Sequence, residues 1–134
     1  MQKSQGFHLI EIITALAIIS IVLTFAYPLY SDYLLKTNRL AAITSLQQLA
    51  NAMEKFHLQF NTYENATLTA LHFPEKISVN YKLSIQSATL DDYVLIAEPL
   101  NKQAANDNAC GRLILHANDK KAVSGSAKAE ECWS

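Results

Sequence analysis

The chain has 134 residues, with eleven Lys and Arg against twelve Asp and Glu and a net charge of −1. That length holds one small domain and little more, and the balanced charge excludes the general basic field of a nucleic-acid-coating protein. Half of the residues are hydrophobic and only three are Gly, which is too apolar for a soluble domain of this size unless the apolar residues are concentrated.

They are concentrated near the start. Residues 1–6 are polar, carry Lys3 and end in Gly6. The stretch from Ile12 to Ser31 then holds no charged residue. At ~1.5 Å rise per residue it makes ~30 Å of helix, about one bilayer core. No small-residue cleavage site follows it, so the run reads as a retained membrane anchor and not as a signal peptide removed behind its apolar stretch. Glu11 is the single charge between Lys3 and Asp32. A carboxylate inside a membrane helix costs roughly 2.5–3.5 kcal/mol on insertion scales. Either it snorkels to the headgroups or it is paired.

The residues around it point to pairing. Gly6-Phe7-His8-Leu9-Ile10-Glu11 resembles the processing site of the type IV prepilins and the related pseudopilins. The resemblance implies a cytoplasmic cut between Gly6 and Phe7 by a prepilin peptidase that also N-methylates Phe7. Glu11 then becomes the fifth residue of the mature chain, and Pro28 falls where many family members carry Pro. The implied role of Glu11 is to offset the α-amine of Phe7 on a neighbouring subunit as the apolar helices bundle. Two positions depart from the family: His8 stands where Thr is usual, and Ser20 where Gly is frequent. Lys36 and Arg39 beyond the span do not favour a cytoplasmic N-terminus by the positive-inside rule. That orientation is implied by the resemblance, and by a disulfide that needs an oxidising compartment.

Beyond Pro28 the pattern becomes amphipathic. Ala42, Leu46, Leu49, Met53, Phe56 and Phe60 follow one another at steps of four and three, a stripe on one helix face. The spacing predicts a helix from Phe7 to Phe60, ~80 Å long at the usual rise, kinked or loosened at Pro28, with the stripe as main core. Residues 61–78 read as a loop. Val79 to Gln86 alternates apolar and polar, a half-buried strand. Tyr93–Ala97 predicts a second strand ended by Pro99, Leu113–His116 a third, and the residues around Ala122–Ser124 a weak fourth, together an antiparallel meander. The two cysteines, Cys110 and Cys132, read as one disulfide if the domain is exported and as free thiols if it is not. Trp133 is expected to cover the bridge or the sheet edge.

Cys110-Gly111-Arg112-Leu113-Ile114-Leu115, Ser124-Gly125 and Cys132-Trp133 resemble the C-terminal part of small PilE-type minor pilins, in which the disulfide-bounded segment forms an exposed variable region. No catalytic constellation is present. His8, His57, His72 and His116 have no metal-ligand spacing, no serine lies in a nucleophile elbow, and three Gly build no phosphate cradle. Asp91-Asp92 and Glu130-Glu131 read as solvated turns. Arg112, Lys120, Lys121 and Lys128 are the candidate DNA contacts, but Asp107, Asp119, Glu130 and Glu131 lie among them. A mixed-charge surface is therefore the favoured reading of that region.

The expected architecture is α+β: a leader over 1–6, an apolar helix half over 7–33, and a headgroup over 34–134. The headgroup comprises the second helix half (34–60), the loop (61–78) and the sheet with its disulfide-bounded ending (79–134). A structural subunit, not an enzyme, is expected, and with no catalytic constellation or metal-ligand spacing no cofactor or metal is expected. The resemblance implies a single-pass inner-membrane precursor with its headgroup in the periplasm, which passes from the lipid into an extracellular pilus. The implied partners are other pilin subunits, the peptidase and the inner-membrane assembly machinery. A minor pilin is favoured over the major one. A DNA-binding pilin of an uptake pilus and a type II secretion pseudopilin are the alternatives.

Overall fold

A long helix forms first in the chain, because residues 9–60 contain a single helix breaker, Pro28, and no Gly. In the computed structural model, which describes residues 6–134, α1 spans Leu9–Phe60 (52 residues) and helix is assigned through Pro28 without a break. Residues 1–5, with Lys3 and most of the expected leader, lie outside the described residues. The hydroxyls of Thr14, Ser20 and Thr24 within the apolar stretch are satisfied by the helix itself. Thr14 donates to the Ile10 carbonyl, Ser20 to Leu16 (2.7 Å) and Thr24 to Ser20 (2.9 Å), so none asks for water inside a bilayer. Asn61 ends the helix at φ +55°, a left-handed conformation that Asn tolerates.

Two compact units divide the chain, one ending at Leu34 and the other comprising Leu35–Ser134. In the first, the chain buries none of its most apolar eighteen-residue window, and Phe25, Leu29 and Tyr30 are all exposed. By length and composition this helix could cross a membrane.

The second unit has its own core. Four strands, β1 (Tyr81–Ala88), β2 (Tyr93–Pro99), β3 (Leu113–His116) and β4 (Lys121–Val123), form an antiparallel meander in the order β1-β2-β3-β4. Ala42, Leu46, Leu49 and Met53 of α1 are buried in one cluster with Leu83, Leu95, Ala97, Leu113 and Leu115 of the sheet. Each fully buried Leu or Met here contributes ~1.5–3 kcal/mol of transfer free energy. Phe56 lies at the margin of this core. Phe60 corrects the expected stripe: it is 60 % exposed, because the helix ends there and the chain turns away at Asn61.

The first strand also starts later than its alternation predicts. Val79 is exposed and pairing begins at Tyr81. A register shift between Ile85 and Ser87 inserts Gln86 as a bulge, which ends the clean alternation. Both sheet edges are partly covered. Residues 75–78 lie along the start of β1, with the Leu83 N–H donating to the Glu75 carbonyl (2.6 Å) and the Ser78 N–H to Tyr81. At the other edge α3 (Ala129–Cys132) packs on β4, and the Trp133 indole N–H donates to the Ala122 carbonyl (3.1 Å). A short helix, α2 (Asn101–Asn106), stands between β2 and β3, where the sequence reading had no element.

Candidate functional site

At the N-terminus Gly6 and Phe7 are exposed and precede the helix. Leu9 is the first helical residue, so His8 is the cap and Glu11 the third position of the first turn. The His8 backbone N–H donates to Glu11 Oε2 at 3.0 Å. This is the returning half of a capping box, and its negative charge sits where the helix macrodipole favours one. Within a single chain Glu11 thus serves its own helix end. The carboxylate keeps a second oxygen for a further donor.

Within the second unit, its own stretch of α1 is held by buried polar groups. Arg39 makes a two-pronged contact with Asp107, Nε to Oδ2 at 3.0 Å and Nη2 to Oδ1 at 2.9 Å. Gln103 on α2, 1 % exposed, donates to the Leu35 carbonyl, to Tyr81 Oη and to Asp107 Oδ2, and accepts from Asn38. A two-pronged Arg–carboxylate pair fixes orientation as well as position. Burial and the adjacent Asp107 carboxylate push the Tyr81 phenol up to about 12, against smaller opposing pulls from Gln103 and Arg39. Sequence reading missed this clasp; six helix-compatible residues following Pro99 were the available signal. Toward the end of α1, Glu54 accepts from both Tyr63 Oη (3.0 Å) and Tyr93 Oη (3.2 Å), and His57 stacks on Tyr63. Burial, then Glu54, raises the Tyr93 phenol above its ordinary value and keeps it a donor.

The cysteines are brought together: Cys110 and Cys132 form a disulfide between buried residues. Beside the bridge Gly125 lies so close to the Ala109 carbonyl that a Cβ would collide with it. Trp133 takes the sheet-edge place expected of it. The four candidate DNA contacts are dispersed. Arg112 and Lys120 lie at opposite ends of the β3–β4 hairpin, Lys128 caps α3, and the Lys121 ammonium sits 5.7 Å over the Trp133 ring. Pairing sets Lys82 opposite Glu98, and Arg112, just ahead of β3, approaches the same carboxylate, with Glu98 3.2 Å from Lys82 and 3.9 Å from Arg112. Lys82 is the cation sequence reading did not include. No group of metal-ligating side chains occurs among the described residues.

A family model described as "Type IV minor pilin ComP, DNA uptake sequence receptor" matches residues 28–114. A second, the prokaryotic N-terminal methylation motif, matches residues 1–27. Among solved structures the fold is similar to the non-core minor pilin PilV of Neisseria meningitidis (21% identity, TM-score 0.51, 69% of this chain and 93% of that one). It is also similar to a type IV pilin from Shewanella oneidensis (22% identity, TM-score 0.57, 75% and 98%). No curated protein sequence matches the chain.

Proposed function

The chain belongs to the type IV minor pilin ComP family, and on that premise we propose that it acts by assembly as a minor subunit of a type IV pilus, not by catalysis. Cleavage after Gly6 frees the amine of Phe7, which is methylated, and Glu11 is then offered to the N-terminus of an adjoining subunit. The precursor waits in the inner membrane with its headgroup in the periplasm, and the pilus machinery draws it into the filament. The observation that carries this reading is the pairing of a self-contained headgroup core with an apolar helix segment that the chain itself leaves wholly uncovered. Lipid covers such a surface in the precursor, and other subunits' helices cover it in the filament. Mass spectrometry of filaments sheared from the native cell should find this chain beginning at N-methylated Phe7, in trace amount beside a dominant pilin. A chain that begins at Met1, or that is absent from the filaments, overturns the reading.

A second reading, DNA binding by the same subunit, is favoured by the description of the matching family and by exposed cations on this headgroup. Lys120 and Lys128 have no ion pair among the described residues, whereas Glu98 engages Lys82 and Arg112. Contacts of this kind are to phosphates, and they weaken with salt. Four such contacts, by Arg112, Lys120, Lys121 and Lys128, give a slope of log K against log salt of roughly −3 to −4. Replacing Lys120 and Lys128 with Ala should flatten it by about two. Absence of binding to duplex DNA at low salt removes this second reading and leaves the first intact.

A further inference from the structure

The headgroup carries a projection and a recess of complementary character. The projection is the β1–β2 turn. Thr89 closes it through its backbone N–H to the Asp92 carbonyl (2.8 Å), while its hydroxyl donates to that carbonyl and accepts the Asp92 N–H. The Thr89 carbonyl is tied to the Tyr63 N–H. Leu90 and Asp91 therefore stand at the tip of a pre-formed turn, with Leu90 54 % exposed. Asp92 spends its carboxylate on the Tyr93 N–H, whereas Asp91 has no hydrogen bond or ion pair among the described residues.

The recess is a groove of about 390 Å³ between the last turns of α1 and the loop that follows. Phe56, Phe60, Ala52 and Leu71 supply its apolar lining, with the Phe56 and Phe60 rings 4.6 Å apart, and Lys55 stands among the lining residues. Lys55, like Asp91, has no ion partner among the described residues. The groove can take a leucine side chain, and the cation beside it is unpaired.

From these two halves we propose that the headgroup docks on a second copy of this chain, the Leu90 side chain of one copy entering the Phe56–Phe60–Leu71 groove of the next and Asp91 meeting Lys55. Charge complementarity selects the occupant: an exposed leucine followed by a free carboxylate is what an apolar groove with a free ammonium accepts. The contact is head-to-tail, since projection and groove are different surfaces. A rigid turn loses little freedom on docking. Precursor copies anchored in one bilayer also meet at high effective concentration, and to that extent the inference rests on the membrane part of the proposed function.

The test uses the full chain in its native membrane, treated with a carbodiimide that joins an amine directly to a carboxylate. The expected product is a Lys55–Asp91 isopeptide in species of two and more chain masses. In Lys55→Asp and in Asp91→Lys one of the two reacting groups is gone, so the cross-link at this pair should vanish in each, and the double reversal, which places the carboxylate at 55 and the amine at 91, should restore it to the original yield. Restoration separates pairing from any structural effect of either change. Cross-links confined to single-chain mass, dimers joined elsewhere, attachment of Lys55 or Asp91 to a different protein, or a double reversal that restores nothing each overturn the proposal. If the isopeptide forms while the chain is missing from sheared filaments, the docking stands and the filament reading falls. If the chain is in filaments and no isopeptide forms, the docking falls alone.

Discussion

Glu11→Ala is expected to leave cleavage after Gly6 intact and to lower the chain's content in sheared filaments on the order of a hundredfold. The magnitude follows from burial: removing one partner of an ion pair held in an apolar interior costs ~3–5 kcal/mol, and each 1.4 kcal/mol is about tenfold. The structure adds a second and smaller loss. The Glu11 carboxylate caps the His8 N–H of its own helix, a contact worth ~0.5–1.5 kcal/mol. Glu11→Gln separates the two, because the amide oxygen still accepts from His8 but carries no charge. Quantitative mass spectrometry of sheared filaments from the two variants decides the matter. Normal content for Glu11→Ala would show that the charge is dispensable. Loss for Glu11→Ala with full recovery by Glu11→Gln would assign the effect to the cap alone.

Cys132→Ser acts on the headgroup. The bridge closes a span of 22 residues, and restricting the unfolded chain over such a loop stabilises the fold by about 3 kcal/mol. For a unit of this size the loss lowers Tm by roughly 10–20 °C. The change falls on the segment that carries Arg112, Lys120, Lys121 and Lys128, so hydrogen exchange should rise first there, and later over Leu46–Met53. Thermal melting of the full chain in detergent, followed by near-ultraviolet circular dichroism, reads the shift. An unchanged melting curve would mean that the bridge contributes nothing to stability.

Most of this fold was legible because its signals are local. Twenty uncharged residues, a four-three stripe and the period-two run ahead of the bulge each name their element by periodicity alone, and the strands Tyr93–Pro99 and Leu113–His116 stand where their apolar runs lie. The departures have tertiary causes. Phe60 has the right spacing for the core but the wrong address, since the helix ends there and the chain turns away at Asn61. Val79 fits the alternation, yet pairing with β2 begins only at Tyr81. The clasp of Arg39, Gln103 and Asp107 joins residues more than sixty positions apart, and no sequence period encodes a contact that only the folded backbone creates. The same holds for Lys82 and Arg112, which share the Glu98 carboxylate because register sets Lys82 opposite it and the start of β3 brings Arg112 within 3.9 Å.

The covered sheet edges have a consequence for the life of an assembled fibre. Side-by-side headgroups are crowded for as long as the fibre lasts, and two bare strand edges at such concentrations zip together and do not part. Here a backbone segment overlies the start of β1, and the C-terminal turn with its tryptophan overlies β4. Over those stretches no bare strand is offered to a neighbour, so cohesion between headgroups there falls to side-chain contacts.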